Sequence, residues 1–170
     1  MQPLIRDARP SDARRFEEIR VAGWKTAYVG LIDDDFLRSY AVDDARVRMR
    51  EAWVADLPAG HVMLVAEQDG AVVGGAILTP SRDEDLPEAG ELLALYVEPA
   101  RRSGGAGTAL LSAGFARMPQ DVQSLWVLEG NTAARRFYER HGFAADGTRK
   151  ARSDIPGEPV EVRYRRPRLG

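Results

Sequence analysis

The chain has 170 residues, of which 44% are hydrophobic, and 26 acidic against 24 basic side chains leave a net charge of -2. That size and balance describe one globular domain able to bury a core, with no bulk attraction to nucleic acid or to an anionic membrane. There is no cysteine and only His61 and His141 as histidines, which excludes disulfides and thiolate chemistry and leaves too few ligands for most metal sites, so no metal is expected.

The opening MQPLIRDARP has no apolar leader, and no window approaches the roughly 18 apolar residues of a membrane span, so the expectation is a cytoplasmic protein without membrane partners. LIRDA alternates as a first strand. Pro10 suits a first helical position, Asp12 favours the positive end of the helix dipole, and Phe16, Ile19 and Gly23 share one face of the ensuing helix. GWKTAYVGLIDDDFLRSY breaks at Gly30. A second, charged surface helix is predicted from about Asp43 to Ala55, ending before Pro58.

HVMLVAEQDGAVVGGAILTP reads as two strands, 62–67 and 71–79, joined at Asp69-Gly70, a pair that tolerates the positive φ of a tight hairpin. The loop PSRDEDLPEAG is expected to be solvated, without core content. ELLALYVEP is a continuous apolar strand leading through a glycine-rich turn into a helix from about Gly105 to Met118, with Leu110, Leu111 and Phe115 inward. SLWVLEG is a further buried strand. In NTAARRFYERHG, Ala134, Phe137, Tyr138 and His141 recur at helical spacing and Gly142 ends the run. TRKARS and PVEVRYRR form a closing hairpin about Pro156-Gly157. The predicted order is βααβββαβαββ: an α/β (α+β) single domain over residues 1–170, with a mixed sheet covered by helices.

Chemistry concentrates in VEPARRSGGAGTALL. Gly104, Gly105 and Gly107, between a buried strand and an amphipathic helix, let several backbone N–H groups converge where no side chain blocks approach, which makes an anion site. Arg101 and Arg102 add positive charge beside it. A P-loop is excluded because the only lysines, Lys25 and Lys150, lie away from the glycines. The third glycine of a dinucleotide fingerprint is missing, which argues against a nicotinamide enzyme.

These residues resemble the GNAT superfamily of acyl-CoA-dependent N-acetyltransferases. Its main motif is matched by Val97, Pro99, Arg102, Gly105, Gly107, Leu110 and Leu111, and a second by Asn131, Ala134, Phe137, Tyr138, Gly142 and Phe143. The resemblance implies a mostly antiparallel sheet and acetyl-CoA as co-substrate. It implies that backbone groups of Leu95, Tyr96 and Val97 hold the pantetheine arm and the thioester oxygen, where an oxyanion develops. The turn Arg102, Ser103, Gly104, Gly105, Ala106, Gly107 and Thr108 would hold the pyrophosphate, with Asn131, Ala134 and Phe137 as further cofactor contacts. Asn131 is also a natural N-cap, and Phe137 reads equally as core. Tyr138 would protonate the departing thiolate; its alternative is a core tyrosine with a satisfied hydroxyl.

An alkylamine with a pKa of about 10.4 is mostly ammonium at neutral pH, so a base is required. Glu91, opening the strand, is the candidate, directly or through water. Glu129 is second. Asp33, Asp34 and Asp35 either attract a cationic amine or are simply solvated, and Trp24 and Tyr28, one helical turn apart, are candidates for an acceptor wall, with burial against the sheet as the favoured reading of Trp24. The resemblance leaves the amine acceptor unidentified and makes a homodimer an expectation. A non-catalytic acyl-CoA sensor or interaction module on the same fold is the alternative reading.

Overall fold

The computed structural model describes residues 2–168. The strands are β1 (Leu4–Asp7), β2 (Val62–Gln68), β3 (Ala71–Pro80), β4 (Ala89–Val97), β5 (Val122–Leu128), β6 (Ala144–Ala151) and β7 (Val160–Pro167). The helices are α1 (Ala13–Ala27), α2 (Asp34–Ser39), α3 (Asp44–Ala55), α4 (Ala106–Ala116) and α5 (Thr132–Arg140), with short 3-10 turns at Pro10–Asp12 and Pro99–Gly104. The strands form one sheet in the order β1-β2-β3-β4-β5-β7-β6. Every neighbouring pair is antiparallel except β4 and β5. The expected mixed, mostly antiparallel sheet in a single α/β domain is the observed one.

Two irregularities in β4 open the sheet. Ile77 pairs with Ala94 but Leu78 pairs with Leu92, so Leu93 is an extra residue in β4, a bulge that kinks the strand. The parallel pairing of β4 with β5 runs only from Ala89↔Val122 to Leu92↔Leu125. Beyond that bulge the two strands part, and among the described residues the edge of 93–97 facing β5 has no ladder partner.

The main core lies between the sheet and α4, where Leu110, Leu111 and Phe115 meet Leu64, Leu78 and Leu92. On the opposite face Phe16 of α1 packs with Val54, Met63 and Ile77, and Trp24 packs with Leu37, Leu128 and Ile155. The approach of α1 is set by Gly75: a Cβ there would lie 2.6 Å from the Phe16 ring. The β2–β3 turn is as predicted, with Asp69 and Gly70 at φ 53° and 76°, both in the left-handed region.

Sequence reading and structure part in two places. Three helices, not two, separate β1 from β2, because Asp33 caps a six-residue α2 through its side chain to the Phe36 N–H at 2.8 Å. A helix that short carries too few apolar positions to show a period. The acidic loop after β3 does contribute to the core: Leu86 is buried, and Asp83 accepts from the Trp126 indole and from buried Arg163. Its charges read as solvated only because their partners sit some 40 and 80 residues away along the chain.

Candidate active site

The glycine turn closes around an uncapped helix N-terminus. Gly105 is the N-cap of α4 at φ 80°, a conformation that costs any other L-residue about 1–2 kcal/mol, and no side chain caps the helix. The first-turn amides of α4 are therefore free to meet an anion, in line with the partial positive charge of the helix end. Gly107 is small for a different reason: a Cβ there would lie 3.4 Å from the Phe137 ring. Gly104 needs neither excuse, since a Cβ would meet only Gln68 Oε1 at 3.9 Å. Its bare backbone leaves the approach open from outside. Ser103 and Thr108 are exposed on this turn while Ala106 is buried beneath it. Arg102 reaches back to α1, donating to Thr26 Oγ1 at 2.9 Å, and so ties the turn to the opposite layer.

α5 lies beside this turn. Asn131 caps it, accepting from the Ala134 N–H at 3.2 Å. The face marked by the helical spacing of Ala134, Phe137, Tyr138 and His141 is only half-buried, and no residue of α5 is fully buried. A strongly periodic helix with an incompletely covered apolar face borders open space. His141 links α5 to the turn: its Nδ1 donates to the Phe137 carbonyl at 2.7 Å, which leaves Nε2 to accept from the Thr108 hydroxyl at 3.0 Å in the neutral ring.

Tyr138 contacts Phe137 and Phe143 edge-on, at 5.3 and 6.1 Å between ring centroids. Among the described residues nothing hydrogen-bonds its hydroxyl, and burial, with the nearby Tyr96 hydroxyl, pushes that group up from its ordinary value, so it stays protonated at neutral pH. Leu95, Tyr96 and Val97, all half-buried, form the part of β4 that has left β5. The end of β4, the glycine turn and α5 meet at Gly107, where an added Cβ would lie 3.4 Å from the Phe137 ring and 3.7 Å from Val97.

On the α1–α3 face a second opening of about 480 Å³ is lined by Trp24, Tyr40, Trp53, Leu93, Ala94 and Tyr96 among others. Tyr96 links this opening to α5, since its hydroxyl accepts from the Trp24 indole at 3.2 Å and lies near that of Tyr138. Trp24 stacks on Tyr40 at 4.5 Å. Tyr28 packs beside Trp24, its hydroxyl also pushed up by burial.

The carboxylates fall out unevenly. Glu91 does not face solvent; it is 1% exposed, and Arg82 engages both its oxygens, donating from NH2 at 2.6 Å and from Nε at 3.1 Å. Ser124, its cross-strand partner, has a buried hydroxyl without a bonding partner among the described residues. Glu129 is an exposed ion pair with Arg149. Asp33 is the α2 cap and Asp35 pairs with Arg38, while none of Asp33, Asp34 and Asp35 lines the second opening. Arg20, Arg50, Arg82, Tyr40 and Trp53, which do line it, were not foreseen from the local sequence. The one available signal was the i, i+3, i+4, i+7 recurrence of Arg46, Met49, Arg50 and Trp53 in α3.

No helix among the described residues is long and apolar enough to cross a membrane, and no group of histidine and carboxylate side chains among them is placed to hold a metal ion. Known proteins resemble the chain throughout this region. An uncharacterized N-acetyltransferase of Bacillus subtilis, YuaI, is 31% identical over 140 residues, covering 81% of this chain and 78% of that one. A mycothiol acetyltransferase of Acidimicrobium ferrooxidans is also 31% identical, over 85% of this chain but 48% of its own longer one. The crystal structure of the PaiA N-acetyltransferase of Thermoplasma acidophilum, in complex with coenzyme A, shares the fold at a TM-score of 0.74 and 20% identity, covering 96% of this chain and 98% of that one. The model of the acetyltransferase (GNAT) family matches residues 26–143, which span the glycine turn, the parted strands and α5, and the chain belongs to that family.

Proposed function

We propose that the protein moves the acetyl group of acetyl-CoA directly to a primary amine. The observation that carries this reading is the parting of β4 from β5 after Leu92↔Leu125, which among the described residues leaves a backbone edge without a ladder partner, in a chain that also has an uncapped α4 N-terminus and a protonated Tyr138. CoA offers a matching series: a pyrophosphate for the turn 102–108 and the amides of α4, an amide-bearing arm for the edge at Leu95, Tyr96 and Val97, and a thioester near Tyr138. Asn131, Ala134 and Phe137 line the far side of the arm.

The amine enters from the α1–α3 face and attacks the thioester carbonyl, forming the C–N bond. Backbone N–H groups at the β4 opening stabilise the oxyanion, the C–S bond breaks, and Tyr138 gives its proton to the thiolate. The amine loses a proton to Glu91 through water. Arg82 occupies both Glu91 oxygens, so the relay runs when that half-exposed guanidinium releases one of them. The unpartnered Ser124 hydroxyl offers a water its second contact. The reaction needs no metal, and a cytoplasmic homodimer belongs to the same proposal.

Thermal denaturation with acetyl-CoA, ATP and NAD tests the donor. Acetyl-CoA at one hundred times its Kd is expected to stabilise the fold by about 2.7 kcal/mol, and the other two by much less. No shift with saturating acetyl-CoA overturns the proposal.

A further inference from the structure

The acceptor opening is built of cations. Arg20, Arg46, Arg50, Arg82 and Arg152 line it, against Asp154 as the one lining carboxylate. The carboxylates packed behind them are Glu17, Glu91 and Glu161, so four negative charges answer five positive ones. The shortfall has a location. Glu17, fully buried, is shared by Arg20 at 2.7 Å and Arg50 at 2.8 Å. Arg82 and Arg152 are matched, by Glu91 and by Asp154 with Glu161. Among the described residues Arg46 has neither hydrogen bond nor ion pair, and the nearby carboxylate of Asp154 is already held by Arg152.

Arg46 and Arg50 stand four residues apart on one face of α3, with Met49 and Trp53 completing the lining. Like charges at that spacing oppose a helix. Arg46 also borders the shallower hollow over the α2–α3 connection, whose acids are committed elsewhere: Asp44 to Arg14, and Asp43 to capping α3. Apart from Thr79 and the His61 ring, the remainder of the opening is apolar or aromatic, and Met49 and Leu93, both exposed, line it.

Resting on the proposed acetyl transfer, we propose that the acceptor is an amine carrying its own oxyanion, such as the carboxylate of an amino acid, and an apolar or aromatic body. Arg46 and Arg50 take the anion, Trp53 and Met49 take the body, and the amine points past Leu93 and Tyr96 to the thioester. A guanidinium pair suits carboxylate and phosphonate alike, and it repels a polyamine.

The test compares phenylalanine, its aminophosphonate analogue, phenethylamine and spermidine by CoA release, and N-acetylphenylalanine with N-acetylphenethylamine by thermal shift in the presence of CoA. The anionic amines are expected to exceed phenethylamine in kcat/KM by about tenfold to a hundredfold, chiefly through KM, and the two anions separate carboxylate from phosphonate preference. Arg46→Glu, at an exposed position without partners, should raise KM for the anionic amine about tenfold or more with KM for acetyl-CoA unchanged. Equal or better use of phenethylamine or spermidine, an unchanged amine KM in Arg46→Glu, or failure of both N-acetyl compounds to bind overturns the inference. An acetyl-CoA shift with turnover of the uncharged or cationic amines leaves the acetyl transfer standing and removes only the anionic acceptor.

Discussion

The proposed donor and acceptor sides, which meet at Tyr96, are made by opposite means. The proposed donor side is built from what is missing: side chains at three glycines, a cap on a helix end and, among the described residues, a ladder partner for one strand edge. The acceptor side is built from what has been added, five arginines and a belt of aromatic rings on α1, α3 and β4. A ligand common to a whole family can be met by backbone, which every sequence possesses. A ligand particular to one member has to be met by side chains. The difference also divides the molecule in its electrostatics, because the arginine-lined wall contains a buried carboxylate, Glu17, shared by Arg20 and Arg50.

That division can be broken by substitution. The largest effect is expected from Glu17→Ala, which leaves Arg20 and Arg50 facing each other without their buried carboxylate. About 3–5 kcal/mol of stability should be lost in urea denaturation. A loss below about 1 kcal/mol would mean that the cluster is wet and carries no structural weight. Tyr138→Phe is next, with kcat down about a hundredfold, near 2.7 kcal/mol in barrier, and KM for acetyl-CoA unchanged. Unchanged turnover would remove the tyrosine from the reaction.

Gly105→Ala tests the donor side alone. Nothing lies within 4 Å of the added Cβ, so its cost is the conformational strain of about 1–2 kcal/mol, with weaker acetyl-CoA binding and an unaltered amine KM. A matching rise in amine KM would show that the two openings are not separable. The smallest effect is on acid stability. Burial alone would raise the Asp12 carboxyl, but the Arg6 guanidinium and the Arg9 N–H outweigh it and hold the group below the ordinary carboxylate range. Its contribution is therefore complete above about pH 4 and is lost as pH falls below that through the lowered value. Denaturation midpoints for Asp12→Asn and the parent should converge in that acid range and differ at neutral pH.

The contrast explains what the sequence could disclose. The turn 102–108 and α5 were legible because each is a local constraint: Gly105 for its φ, Asn131 for its cap, Phe137 and Tyr138 for a helical period. The Asp69-Gly70 hairpin was legible for the same reason. The acceptor wall draws Phe16, Tyr40, Trp53, Leu93 and Arg152 from distant stretches of chain, and only the sheet order brings them together. The Leu93 bulge leaves no mark in ELLALYV, where apolar residues occupy both faces. Glu91 was visible as a carboxylate at a strand start, but nothing near it in sequence announced how fully Arg82 would occupy it.

The parted strands make the sheet incomplete in a particular way. Its seven strands are continuous only through four residue pairs between β4 and β5, and beyond them lies a gap whose sides still carry main-chain donors and acceptors. An extended molecule with amides of its own, lying in that gap, becomes a short additional strand and completes the ladder from within. On the proposed reading the donor's binding is partly an act of folding, and the amides of 93–97 should exchange with solvent more slowly in its presence.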